Sequence, residues 1–414
     1  MSLKRNFIWM LSSKTTLVLA GLFTAALINR SLGPSGRGVF AEIQTWITLF
    51  AVLFGLSMDT AIYHFANREL YAYEDKSKFI TVCGLSIVLS VIAVSGLNLF
   101  AALRQEAFSS KATEYLVLLD CLLISTILAT TLTVFFQALG NMKFSACVGM
   151  VQALLSSAII GGAYFAGMVD IRLAILSLTA VQSVTLVVLF GGALKSGFLG
   201  GNFSRKLAAE LIAAGLKQHV ATIAVFIYTR INQLMIFKYC GEAEAGIFAV
   251  AQTLAFGFMF FPLTLQTVLY PRVIHSSDDY EVTIRSLRLG FYGWGAGVAL
   301  ITVCAKPLLL LYGGNSFLPS VAMFRTLMVA AWLLPLSSLV APYCIKVGAF
   351  NACSASAVVL GIISMGLNFF LIPAYSGNGA ALATALTCVA GFFLSLFLLW
   401  YLTRRNPLEF VKLI

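Results

Sequence analysis

Asn29-Arg30-Ser31-Leu32-Gly33-Pro34-Ser35-Gly36-Arg37-Gly38-Val39-Phe40-Ala41 is a basic, glycine-rich hinge between two long apolar runs, and its pattern returns 208 residues later, from Lys238 to Ala249. At that offset Gly38 falls on Gly246, Phe40 on Phe248, Ala41 on Ala249, Gln44 on Gln252, Thr45 on Thr253 and Phe50 on Phe258, six identities in thirteen ungapped positions. The same offset carries Arg30 onto Lys238 and Gly140 onto Gly348. Agreement that persists so far from the hinge points to duplication of half the chain.

Outward from the hinge the sequence is almost entirely apolar. Of 414 residues, 60% are hydrophobic and 10% charged, with a mean hydropathy of +0.94; a soluble domain has about 25% charged residues. Runs long enough to cross a hydrocarbon core about 30 Å thick lie at 11–29, 39–65, 79–103, 115–136, 144–167, 172–194, 209–237, 246–270, 287–305, 320–343, 352–373 and 378–402. The expectation is an all-α polytopic membrane protein of twelve transmembrane helices. Six fall in each half, so the two six-helix bundles enter the membrane in the same sense, related by a pseudo-two-fold axis along its normal and enclosing a central cavity. The bundles span 1–194 and 207–402, joined by a cytoplasmic linker at 195–206 with Gly197, Gly200, Gly201 and Asn202, and followed by a cytoplasmic tail at 403–414.

The net charge of +11 is read loop by loop. With the amino terminus inside, sixteen Lys and Arg residues fall on the cytoplasmic side, among them Lys4, Arg5, Arg68, Lys195, Arg272, Arg404 and Lys412, against seven outside. This satisfies the positive-inside rule with both termini cytoplasmic and gives no reason to invoke nucleic acid. Lys4 and Arg5 ahead of an apolar run imitate a secretory signal, but no small-residue cleavage site follows, so the run reads as a retained first helix. The eight cysteines form no C-x-x-C pair and His64, His219 and His275 are scattered, so neither a disulfide framework nor a metal is expected. No cofactor is expected either. There is no G-x-x-x-x-G-K-[ST], which excludes ATP as the direct energy source, and no H-E-x-x-H, G-x-S-x-G or long loop for a catalytic domain.

The seventh run holds a polar stripe. Gln218, Thr222, Thr229 and Gln233, spaced by four, seven and four, with Asn232 beside them, cover roughly 100° of the helix. Such a stripe is either a hydrogen-bonded seam between helices or the wall of a hydrated cavity. At the repeat offset Lys14 falls on Thr222, Gly21 on Thr229 and Ala25 on Gln233. Equivalent faces of the first and seventh helices can look at each other across a two-fold axis, which favours the cavity. Charges within runs cost about 2.5–3.5 kcal/mol near a helix centre on insertion scales. Lys14, Asp59, Asp120 and Arg325 lie near run ends, where snorkelling is sufficient, and Lys217 is near-interfacial. Arg230 sits about 10 Å below the outer end of its helix; with Lys14, Arg30 and Arg37 it makes an electropositive cavity suited to an anion. Asp59 and Asp120 are the candidate counter-ions or coupling groups.

Two stretches resemble the polysaccharide transporter family, the O-antigen and teichoic acid flippases of the multidrug/oligosaccharidyl-lipid/polysaccharide exporter superfamily. One is Arg30-Ser31-Leu32-Gly33-Pro34 with Gly38-Val39-Phe40-Ala41; the other runs from Asn368-Phe369-Phe370-Leu371-Ile372-Pro373 through Gly377-Asn378-Gly379 to Thr384. Gln137-Ala138-Leu139-Gly140-Asn141 and Leu311-Tyr312-Gly313-Gly314 are weaker echoes. The resemblance implies two bundles around a V-shaped cavity with alternating access. It also implies an undecaprenyl-pyrophosphate-linked oligosaccharide as cargo, membrane lipids around it, a cation gradient (H+ or Na+) as drive and a polysaccharide polymerase as partner. Relatives often carry an acid shortly after the seventh-helix arginine, where this chain has Asn232. The competing readings are a multidrug/cation antiporter of the same superfamily, which would call for intramembrane acids, and a membrane glycan polymerase or ligase, which would call for a large outer loop.

Overall fold

The computed structural model describes residues 3–66, 75–104, 110–259, 262–263 and 279–411. Arg68, Arg272, His275 and Lys412, and most of the eighth run beyond Met259, lie outside the described residues. Among those described every regular element is helical and no strand occurs. The helices are α1 (Leu3–Phe54), α2 (Met58–Ala66), α3 (Asp75–Leu103), α4 (Ser110–Glu114), α5 (Leu116–Ala138), α6 (Met142–Phe165), α7 (Ile171–Lys195), α8 (Arg205–Cys240) and α9 (Glu242–Phe258). After the gap come α10 (Asp279–Leu289), a π-helical turn at Gly290–Trp294, α11 (Gly295–Val303), α12 (Ala305–Gly313), α13 (Ser320–Ser338), α14 (Ala341–Lys346) and α15 (Phe350–Thr403).

Eight of the described helices are long and apolar enough to cross a bilayer, nine if the bent pair Tyr280–Val303 and Ala305–Gly313, meeting at 67°, makes one crossing. The protein is a multi-pass membrane protein. Its outer surface agrees: Leu99, Val187 and Phe370 are large apolar side chains left exposed, a pattern that suits lipid and not water.

Two of the long helices are broken. α1 leaves helical geometry at Gly33 (φ 62°, ψ −174°) and α15 at Ser376 (φ 52°, ψ −135°). The Gly33 conformation is essentially closed to residues with a Cβ, and Pro34 follows with no N–H to give to the preceding turn. Gly241, the residue on which Gly33 falls at the repeat offset, has the same conformation (φ 88°, ψ 176°) between α8 and α9. Gly140 and Gly348, paired at that offset too, both have positive φ, 79° and 74°. Helix ends follow the register as well: α6 begins at Met142 and α15 at Phe350, while α7 ends at Lys195 and α15 at Thr403.

By its internal contacts the chain divides into two compact units, Met1–Leu32 with Val39–Ile223, and Gly33–Gly38 with Ala224–Ile414. The division falls inside α8, and the polar stretch 195–206 lies within the first unit. The first unit's core is an aromatic cluster in which Phe79 packs against Phe135, Phe190 and Phe198 at 5.5, 6.2 and 5.9 Å. Polar stitches join its helices: Ser13 donates to the Ala146 carbonyl at 2.9 Å, and Thr24 meets Ser157 at 3.0 Å. The second unit's core gathers Phe392, Leu336 and Tyr280 around Phe410 of the carboxyl-terminal segment. Arg288 fixes that segment by donating to the Glu409 carbonyl at 2.9 Å.

Within the second unit the hinge segment 33–38 packs on the start of α9 by a reciprocal close approach. A Cβ on Gly38 would overlap the Glu242 carbonyl, and a Cβ on Gly246 would overlap the Pro34 carbonyl. Since the repeat offset carries Pro34 onto Glu242 and Gly38 onto Gly246, the two contacts are one contact seen twice, a local two-fold between the duplicated hinges. The backbones meet there because neither glycine has a side chain.

Candidate functional site

Two polar constellations stand out, one in each unit. In the second unit the hinge brings Arg37 against α9, where its Nη2 donates to Thr253 Oγ1 at 3.3 Å. Arg37 is 5% exposed. Tyr312, at the end of α12, and Arg230, in α8, are near enough to act on it electrostatically. Arg230 itself is exposed and forms no salt bridge among the described residues. Two neighbouring guanidinium groups concentrate positive charge, and an anion with several acceptor oxygens is drawn to such a pair.

Neighbouring residues of the stripe lock the helices around this pair. Asn232 is buried and donates to Thr384 Oγ1 on α15 at 2.9 Å; Gln233, also buried, donates to the Ala245 carbonyl of α9 at 3.0 Å. Thr229 is half-buried, its hydroxyl turned back to the Val225 carbonyl at 2.7 Å, while its own carbonyl accepts from Gln252 at 3.2 Å. Glu244, in the first turn of α9, accepts from the Gly377 N–H at 3.0 Å, just past the break at Ser376. A carboxylate there complements the exposed N–H groups of the helical segment that follows. No sequence signal singled out Glu244; Tyr312 lies in the Leu311–Gly314 echo, which gave it no role, and Thr253 could have been found through its identity with Thr45.

In the first unit the chain breaks between α1 and α2, with Leu56 and Ser57 both at φ 47°. Gly215 of α8 lies directly against the Leu56 carbonyl, where a Cβ would overlap it, and His219 Nε2 meets the Leu53 carbonyl at 3.1 Å. Ser57 donates to Thr222 Oγ1 at 2.8 Å, which in turn donates to the Gln218 carbonyl at 3.3 Å. A cavity of about 260 Å³ opens at this turn, walled by Thr48, Ser57 and Thr222, by Thr126, Thr130 and Thr131 of α5, and by Asp59 in the first turn of α2.

The remaining sequence candidates are also placed. Lys14 and Arg30 are exposed residues of the first unit. Asp120 is held across helices by Asn98, whose Nδ2 lies 2.9 and 3.0 Å from its two carboxylate oxygens. Thus Thr222 and Asp59 share one cavity, Arg37 and Arg230 one electrostatic neighbourhood, and Asn232 and Gln233 an interhelical seam. Among the described residues no group of three or more His, Cys, Asp or Glu side chains is arranged to hold a metal.

The fold is that of a multi-pass helical membrane protein. Its solved likenesses include an inward-facing multidrug resistance MATE transporter of the MOP superfamily, 12% identical, covering 97% of this chain and 99% of that one at a TM-score of 0.73. The lipid II flippase MurJ, in an inward closed conformation, is 14% identical over 97% of this chain and 89% of that one at 0.71. The MATE multidrug transporter DinF-BH is 16% identical over 98% and 96% at 0.73. Residues 3–276 match the model of the family described as polysaccharide biosynthesis protein, and the chain belongs to that family. The lipid III flippases of Escherichia coli strain K12 and Shigella flexneri are each 23% identical to it over 426 aligned residues, 97% of this chain and 99% of theirs.

Proposed function

We propose that this protein turns an undecaprenyl-pyrophosphate-linked oligosaccharide, an O-antigen or other surface-polysaccharide repeat unit, from the inner to the outer leaflet of the bacterial inner membrane. The observation that carries the reading is the pair Arg37 and Arg230, two neighbouring cations in an apolar protein, the first buried and the second exposed. A pyrophosphate has the charge and the acceptor oxygens to bridge two guanidinium groups. The lipid tail can remain in the bilayer.

Alternating access between two six-helix bundles fits this task. At 1.5 Å per residue, the helix Leu11–Phe54 is about 66 Å long, twice a hydrocarbon core. A crossing on each side of Gly33 and of Ser376, and one for the run that α9 begins, would make twelve, an even number that puts both termini on one side, the cytoplasmic one by the distribution of Lys and Arg in the loops. An H+ or Na+ gradient would supply the drive, with Asp59 and Asp120 as the candidate coupling carboxylates, and a polysaccharide polymerase would receive the product.

Multidrug export is the second reading, because MATE transporters share the fold at least as closely as MurJ does. Fold does not discriminate between cargoes; charge does. A cationic drug needs acids at its site; the pair beside the hinge is of arginines, and the one acid of the first unit's cavity, Asp59, lies among hydroxyls with no aromatic ring to stack on. The test is complementation of a deletion strain. Removing a charged hydrogen-bonding group costs about 1.5–3 kcal/mol of binding, so Arg230→Ala should lower surface polysaccharide roughly tenfold or more with the protein still in the membrane. Polymer at the wild-type level would remove Arg230 from the mechanism.

A further inference from the structure

We propose that the hydroxyl-lined cavity of the first unit is a sugar subsite, holding one ring of the cargo glycan with Asp59 accepting from a pair of its hydroxyls. The inference rests on the flippase reading and adds to it the place where the glycan is recognised.

The chemistry of the wall selects among ligands. Six of its twelve lining residues carry hydroxyls and one carries a carboxylate; none is basic and none aromatic. A phosphate or pyrophosphate would meet Asp59 with no positive charge to offset it. A flat organic cation would find a carboxylate but no ring to stack on. A neutral polyhydroxylated ring fits both kinds of group present: threonine and serine hydroxyls donate and accept, and an ionised carboxylate accepts two hydrogen bonds side by side. At about 260 Å³ the cavity lies below the roughly 300 Å³ at which drug-sized sites begin. It has room for a single ring.

The site is built, not merely open. Leu56 and Ser57 both sit at positive φ, a conformation costly for residues with side chains and retained where the surroundings demand it. That turn aims Ser57 at Thr222 and starts α2 so that Asp59 lies in its first turn. Gly215, for want of a side chain, lets α8 approach closely enough to close the wall. Thr126 and Thr130, one turn apart on α5, face the same space. Asp59 forms no salt bridge among the described residues.

The test uses the full-length protein in lipid nanodiscs and two probes: the lipid-linked oligosaccharide extracted from the organism's own membranes, and bare undecaprenyl pyrophosphate. Asp59→Asn should weaken binding of the glycolipid about tenfold or more and leave bare undecaprenyl pyrophosphate within about twofold. Thr130→Val, an isosteric change at an exposed side chain, should weaken the glycolipid alone by a few fold. An equal loss for both probes, no loss for the glycolipid, or a change only in the Na+ or pH dependence of binding would each overturn the sugar assignment while leaving the flippase reading intact. Wild-type protein that binds neither probe would remove the flippase reading, and the subsite with it.

Discussion

Gly38→Ala and Gly246→Ala probe the duplicated hinge from its two sides. In each, the new methyl group would occupy the position of a backbone carbonyl oxygen, that of Glu242 for Gly38 and that of Pro34 for Gly246. Backbone cannot step aside as a flexible side chain can, so the hinge segment and α9 must separate. Overpacking of this kind costs about 1–3 kcal/mol. The reciprocal geometry makes a sharper claim: separation forced by one methyl group also makes room for the other, so the double variant should cost less than the sum of the singles, with a coupling of about 0.5–3 kcal/mol. Thermal unfolding of the detergent-purified protein, together with complementation, measures both. Gly21→Ala is the control, since nothing lies within 4 Å of its added Cβ; it should be neutral or stabilising by up to about 1 kcal/mol. Strict additivity of the two hinge variants, or neutrality of either one, would refute the close approach.

At Gly33, whose φ of 62° with ψ near 180° is closed to other residues, Gly33→Ala should destabilise by about 1–3 kcal/mol and reduce complementation; a stability equal to wild type would mean that α1 is not broken there. Cysteines placed at Gly21 and Thr229, equivalent positions in the repeat, should react with polar thiol reagents in intact membranes. Inertness of both would assign these faces to packing.

Much of the architecture was legible because it depends on local composition. The apolar runs mark the helices, and the glycines that align at one offset mark where the chain must turn: Gly33 with Gly241 and Gly140 with Gly348 share positive φ, a property that belongs to the residue and so shows in the sequence. The break at Ser376 was visible only as the gap between the runs 352–373 and 378–402, and that at Ser57, inside the run 39–65, carries no mark at all. Their positive φ is imposed by neighbours distant in the chain, such as Gly215 packed on the Leu56 carbonyl and Glu244 bound to the Gly377 N–H. The polar stripe of α8 was visible as a stripe, yet its members do different things. Thr222 faces a cavity with Ser57, whereas Asn232 and Gln233 are spent on Thr384 and on the Ala245 carbonyl. Periodicity tells which residues share a face; it does not tell what that face meets. Arg37 illustrates the same limit: the sequence showed a cation in the hinge, but not the Thr253 hydroxyl that orients it or the neighbouring Tyr312.

The most direct test of the account is translocation itself, followed with lipid-linked oligosaccharide in proteoliposomes containing wild-type protein, Arg37→Ala or Arg230→Ala. Transfer between leaflets is expected from the wild type and its loss in both variants, each of which should still assemble and sediment with the vesicles. Transfer at the wild-type rate by both variants would contradict the claim that this pair of arginines holds the pyrophosphate.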